Sequence, residues 1–155
     1  MNKILMVCLG NICRSPLAEG ILREKINKYN INATTDSAGT IGMHSGEAPD
    51  NRSILVAKKH NIDISDLRSR KFSIKDFDYF DKIYVMDLNN KQDVISLSRN
   101  NNDKLKVEMI MNLVYPNKNI DIPDPYYGGE NGFEDVFQML DIATDKIIEI
   151  LKKNS

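Results

Sequence analysis

Residues 8–16 read CLGNICRSP: Cys8, five residues, then Arg14, Ser15 and Pro16. A thiol is a nucleophile. An arginine six places on offers a planar fork of donors that matches two phosphate oxygens, which a lysine ammonium does not. Between them, the N–H groups of Leu9, Gly10, Asn11, Ile12 and Cys13 can curl around one centre. With a helix N-terminus behind them they make a nest for a tetrahedral anion. Gly10 permits close backbone approach, and Asn11 can tie the loop or take a left-handed turn. Donors set to hold an oxyanion also favour the thiolate form of a cysteine among them, so Cys8 reads as a nucleophile aimed at phosphate.

Other phosphate loops fit badly. No Gly-Lys followed by Ser or Thr occurs in the chain, and GxGxxG is absent after the first apolar run. A nucleophile stands where those loops carry glycine, which suggests covalent chemistry rather than cofactor binding.

Such a loop needs a strand before it and a helix after it. Lys3–Cys8 is a continuous apolar run of the kind that forms a buried parallel strand. Ser15-Pro16 reads as helix cap and first helical residue, with Leu17, Ala18, Ile21, Leu22 and Ile26 at helical spacing and Glu19 near the positive end of the dipole. Further strands are expected at 32–37, 82–86 and 107–110, and helices at 50–60 and 89–98, with a break at Asn100–Asp103. After a Pro-, Asn- and Gly-rich loop over 115–132, the last helix carries Phe133, Val136, Phe137, Leu140, Ala143, Ile147 and Leu151 as one stripe. Alternating strands and helices predict a single α/β domain over residues 1–155, an open parallel sheet with helices on both faces. Ligands of such sheets bind beyond the carboxyl ends of the strands, where Cys8, Ser37 and Asp87 fall.

Composition excludes other classes. With 41% hydrophobic residues, 21 basic and 22 acidic side chains and a net charge of −1, the 155-residue chain offers no bulk attraction to nucleic acid or anionic lipid. No stretch approaches the roughly 20 apolar residues of a membrane span, and the first apolar run is too short for a signal peptide. The expected location is the cytoplasm. Cys8 and Cys13 are the two cysteines, too few for a disulfide scaffold or a zinc site, so neither metal nor cofactor is expected.

The nine residues CLGNICRSP, together with Asp124-Pro125-Tyr126-Tyr127, resemble the low-molecular-weight protein tyrosine phosphatases. Asp36-Ser37-Ala38-Gly39-Thr40, Pro49-Asp50 and Met86-Asp87 fall where that family has similar segments, so the resemblance covers essentially the whole chain. It implies the phosphotyrosine protein phosphatase I-like fold with a four-stranded parallel sheet. It also implies that Cys8 attacks phosphorus, Arg14 and the loop amides hold the oxygens, and Asp124 protonates the leaving oxygen and then activates water. Ser15 would steady the Cys8 sulfur, and Asn11, with Ser37 as partner, would brace the loop. Phosphotyrosine proteins would be substrates, and inorganic phosphate and other oxyanions inhibitors.

Simpler readings stand beside these. A cysteine ending a buried strand is usually a small core residue, and it is the company of Arg14, Ser15, Pro16 and Asp124 that argues otherwise. Cys13 either packs under the loop or traps oxidised Cys8 as a disulfide, and the resemblance favours the second. Asp124-Pro125 could be a plain turn, but Tyr126 and Tyr127 supply the aromatic wall a phenyl ester needs, unless they are themselves phosphorylated. His44 and His60 read as surface or helix-end residues, and Asp87 as a helix cap or a brace for the site.

Two departures from the family stand out. Met43 occupies a wall position where many relatives carry an aromatic, and Leu67-Arg68-Ser69-Arg70-Lys71 lacks the histidine that precedes an Ala-Arg-Gln segment in relatives. Thioredoxin-linked arsenate reductases need cysteines beyond Cys13, and this chain has none. Arginine phosphatases carry Thr at the Ile12 position and lack the tyrosine pair. Phosphate-carrying binding modules lack an acid such as Asp124.

Overall fold

The computed structural model describes residues 2–129 and 131–154, so residues 1, 130 and 155 of the expected domain lie outside the described residues. Its layering follows from one strand. In β1 (Asn2–Cys8), Ile4, Met6 and Cys8 turn to one face and Leu5 and Val7 to the other, and all five are buried. Side chains alternate along a strand, so an apolar run with no polar side must be covered from both faces.

β1 lies inside a four-stranded sheet with β2 (Ala33–Gly39), β3 (Lys82–Val85) and β4 (Val107–Met109), in the order β2-β1-β3-β4. Every pairing is parallel, with Cys8 opposite Gly39 and Val7 opposite Val85. One face is packed by α1 (Arg14–Lys28), α2 (Asn51–Lys59) and α6 (Gly132–Lys153), through Leu17, Ile21, Val56, Leu140 and Ile147 among others. The opposite core takes Phe77 from α3 (Asp76–Tyr79) and Val94 from α4 (Leu88–Ser96). The chain leaves β1 toward β2 and later crosses to β3 on the other side. The direction therefore reverses between β1 and β3, where the crevice of an open α/β sheet opens at the carboxyl ends.

Several boundaries differ from expectation. The second and third strands run 33–39 and 82–85 in place of 32–37 and 82–86, and α4 ends at Ser96. The fourth strand stops at Met109 because Ile110–Leu113 winds into a 3-10 turn. The expected break at Asn100–Asp103 is a helix start: the Asn100 side chain accepts the Asp103 amide at 2.9 Å and caps α5 (Asn101–Lys106). α3 was not anticipated, since four residues hold barely one period of a helical pattern. α1 begins at Arg14 with Cys13 at its cap and no side-chain cap bond, because the Ser15 hydroxyl is committed elsewhere.

Candidate active site

Between β1 and α1, the loop Leu9–Cys13 folds over the carboxyl end of the sheet. Its floor is Gly39. A Cβ there would lie 2.7 Å from the Leu9 carbonyl oxygen and 3.0–3.1 Å from the backbone of Gly10 and Asn11. No side chain fits. Asn11 takes a left-handed φ of +57°, one of the few conformations that turns the chain this tightly and one that asparagine tolerates.

Four carbonyls of the segment from Cys8 to Ile12 are held from outside. Those of Cys8, Leu9 and Ile12 accept the amides of Thr40, Ile41 and Asp50 at 2.8–3.0 Å, and that of Gly10 accepts the Ser69 hydroxyl at 3.0 Å. In a trans peptide the N–H points opposite to the C=O. Carbonyls drawn outward therefore turn the following amides inward, and the Asn11 amide does reach the Cys8 Sγ at 3.2 Å. Ser15 Oγ lies 3.0 Å from the same sulfur. That contact is what removes Ser15 from the capping role.

Asn11 ties the loop to three elements. Its Nδ2 donates to Ser15 Oγ at 2.8 Å and to Ser37 Oγ at 2.9 Å, and its Oδ1 accepts the Arg70 amide at 3.0 Å. Arg70–Phe72 runs along the end of β2, with Gly39 bonded to both Arg70 and Phe72 backbones. A backbone amide thus meets Asn11 in a chain whose 67–71 segment carries no histidine.

Arg14 is buried, at 5% exposure. Its Nη1 donates to Asp87 Oδ2 at 2.6 Å and to the Ile122 carbonyl at 3.0 Å. Nε and Nη2 have no partner among the described residues, and Arg14 lines the cavity above the loop. Asp87 serves twice: Oδ1 caps α4 through the Asn90 amide at 2.7 Å while Oδ2 holds Arg14.

The cavity encloses about 600 Å³. Cys8, Cys13 and Arg14 line it together with Leu9, Gly10, Ile12, Ile41, Met43, Tyr126, Tyr127 and the carboxylates Asp50 and Asp124. Asp124 caps the 3-10 turn Pro125–Tyr127 by accepting the Tyr126 amide at 3.0 Å, which leaves Tyr126 and Tyr127 edge to face at 5.1 Å. Gly132, the first residue of α6, seats this turn, since a Cβ there would meet the Pro125 carbonyl at 2.8 Å. Arg52 stacks over both Tyr126 and Phe133 and pairs with Asp50, holding the Asp50 carboxyl below its usual range.

Cys8 and Cys13 are both free thiols. Burial foremost, with the nearby charges of Asp50, Cys8 and Asp124, pushes the Cys13 thiol up to about 12. His60 ends α2, bonded to Glu134 at 2.9 Å and stacked on Phe137. His44 keeps about a third of its side chain exposed. It lines the cavity over Gly10, with Nδ1 on Glu47.

Sequence reasoning also misplaced Glu19. It is buried at 6% exposure, where Ser37 Oγ donates to its Oε1 at 2.6 Å. Burial is the main cause that raises its carboxyl to about 7. The signal was present: Glu19 stands four residues after Ser15, hence on the same helix face.

Comparison with known proteins places these features in a group. The family model for low molecular weight phosphotyrosine protein phosphatase matches residues 3–155. The human low molecular weight phosphotyrosine protein phosphatase is 41% identical over 143 residues, covering 88% of this chain and 87% of that protein. A crystal structure of the protein tyrosine phosphatase from Entamoeba histolytica, with Hepes in the active site, superposes with a TM-score of 0.92 at 35% identity over 99% of both chains. Wzb from Vibrio vulnificus in complex with benzylphosphonate gives 0.83 at 28% identity over 98% of both.

Proposed function

The chain belongs to the low molecular weight phosphotyrosine protein phosphatase family, and from that premise we propose that it hydrolyses phosphotyrosine in proteins and small aryl phosphates through a phosphocysteine. The observation that carries the reading is the setting of one sulfur. Cys8 Sγ accepts the Asn11 amide, touches Ser15 Oγ, and lines the same cavity as Arg14 and Asp124.

In the first step Cys8 Sγ bonds to phosphorus as the bond from phosphorus to the phenolic oxygen breaks. Arg14 Nε and Nη2 and the inward loop amides bear the equatorial oxygens, whose charge is stabilised without reorganisation because Asp87, Ile122 and the outward-held carbonyls fix the donors beforehand. Asp124 gives its proton to the leaving oxygen. In the second step water attacks phosphorus, Asp124 takes its proton, the sulfur–phosphorus bond breaks, and Ser15 donates to the departing thiolate. Leu9, Met43, Tyr126 and Tyr127 supply the apolar wall for the ring. The benzylphosphonate complex of a relative supports phosphonate and phosphate as competing oxyanions. The expected setting is cytoplasmic signalling. Among the described residues no helix is long and apolar enough to cross a membrane.

Turnover of p-nitrophenyl phosphate tests the reading. Cys8→Ser should abolish it, and Asp124→Ala should lower kcat by about 10²–10⁴. Full activity in Cys8→Ser would sink the covalent mechanism. A wild-type protein inert on phosphotyrosine peptides yet active on phosphoarginine would overturn the substrate class.

A further inference from the structure

Four consecutive hydrogen bonds join a carboxylate that does not line the cavity to the Cys8 sulfur. Ser37 Oγ meets Glu19 Oε1 at 2.6 Å, Asn11 Nδ2 meets Ser37 Oγ at 2.9 Å and Ser15 Oγ at 2.8 Å, and Ser15 Oγ meets Cys8 Sγ at 3.0 Å. All five residues are buried, between 0% and 6% exposed.

Counting hydrogens gives the chain a direction. Asn11 Oδ1 accepts the Arg70 amide, which fixes the side-chain amide the other way round, with Nδ2 toward both serines. Both Nδ2 hydrogens are then used, one on each serine oxygen. Ser37 accepts from Asn11, so its single proton must go onward, and Glu19 is the acceptor. Ser15 also accepts from Asn11, so its single proton points to the sulfur.

We propose that Glu19 is a positioning residue for the Cys8 chemistry: by taking the Ser37 proton it keeps the Ser37 oxygen an acceptor for Asn11, a second hold, beside the Arg70 amide, on the side chain that leaves Ser15 to donate to the sulfur. The proposal rests on the phosphatase reading above for its purpose, and on the bond directions for its mechanism. A neutral acid in place of the carboxylate can donate to Ser37, which then has two donors and no acceptor for its own proton. The Ser37 hold on Asn11 is therefore firm only while Glu19 is ionised, whereas the Arg70 amide holds in either state. The charges that act on Glu19 are Asp36 on β2 and Asp66 after α2, which oppose ionisation, and Arg23 on its own helix, which favours it. Burial outweighs them and sets that ionisation near neutral pH.

The test compares wild type, Glu19→Gln, Glu19→Met, Ser37→Ala and the double variant Glu19→Met/Ser37→Ala. Two readouts are taken from pH 5.5 to 8.5: kcat and KM on p-nitrophenyl phosphate, and the rate of Cys8 alkylation by iodoacetamide. Loss of the terminal acceptor in Glu19→Met should lower kcat by about tenfold, the worth of one hydrogen bond to a reacting group, with KM little changed. Gln retains an acceptor and should recover part of that loss. Ser37→Ala and the double variant should match Glu19→Met, because links of one chain are not additive. The alkylation rate of wild type relative to Glu19→Gln should rise in a step near pH 7. A flat ratio, additive losses, or a change confined to KM would overturn the proposal. Should Glu19→Met fail to fold, the wild-type to Gln ratio decides alone. Alkylation needs no substrate, so a failure of the phosphatase reading would appear as absent turnover with the alkylation pattern intact.

Discussion

Arg14 Nη1 and Asp87 Oδ2 stand 2.6 Å apart, joining the first residue of α1 to the residue that caps α4. The guanidinium is 6% exposed at its side chain and the carboxylate 17%, so this is a largely desolvated pair. Removing one partner of such a pair strands a buried charge at a cost of about 3–5 kcal/mol. Asp87→Ala also loses the cap, worth about 1 kcal/mol, whereas Asn is itself a good cap. Urea denaturation should therefore rank wild type above Asp87→Asn above Asp87→Ala. Saturating phosphate, an alternative anion for Arg14, should recover more stability in either variant than it adds to wild type. Equal phosphate shifts in all three would refute the pairing as the cause.

Gly39 makes no side-chain contact, yet its substitution should damage the site. A Cβ 2.7 Å from the Leu9 oxygen presses on backbone, which has no flexible end to yield. Gly39→Ala should cost about 1–3 kcal/mol of stability. It should also lower kcat/KM well beyond what the lost folded fraction explains. Normal kcat/KM per folded molecule would show that the loop does not need its floor.

Glu19 should leave a signature in the pH dependence of stability. Its carboxyl rises from an ordinary 4.5 to about 7 on folding. Between those values the folded chain binds more protons than the unfolded one, so stability falls as pH rises through the window. The full effect is about 3 kcal/mol, from the width of the shift. Glu19→Gln does not titrate, so its stability relative to wild type should increase from pH 5 to pH 8. A difference that stays constant over that range would contradict the buried-carboxyl assignment.

Cys13 should stay unreactive where Cys8 does not. With its thiol raised to about 12, Cys13 holds almost no thiolate at pH 7.5. Iodoacetamide should add one group per native chain, located on Cys8 by peptide mass, and a second only in urea. Phosphate should slow the first addition. Early modification of Cys13 in the native protein would overturn this.

What the sequence revealed of this molecule was local. Ile4–Cys8 is apolar at every position, so its parallel, doubly covered setting follows from the pattern alone. The spacing from Cys8 to Arg14 likewise announced a tight loop between a strand and a helix, because five residues closing the two leave few alternatives. Contacts between distant segments left weaker marks. Ser15 before Pro16 has the form of a helix cap, and only the approach of Cys8 and Asn11 diverts its hydroxyl. Glu19 has the form of a dipole residue, and only β2 closing over it makes it a buried acceptor. Asn100, by contrast, carries a cap signal that was read as a break although its partner, the Asp103 amide, lies only three residues on. His44 reaches the cavity because the loop after β2 returns across Gly10, and nothing in its neighbours along the chain encodes that return.

The Ile122 carbonyl that receives Arg14 lies 108 residues further along the chain. During synthesis Cys8 and its loop emerge well before Asp87, and Ile122 follows later still. A nascent chain stalled before Ile122 carries the complete CLGNICRSP segment but cannot seat its arginine. If the proposed function holds, anion affinity should track nearly finished assembly, and a truncated chain carrying the intact motif should bind no phosphate.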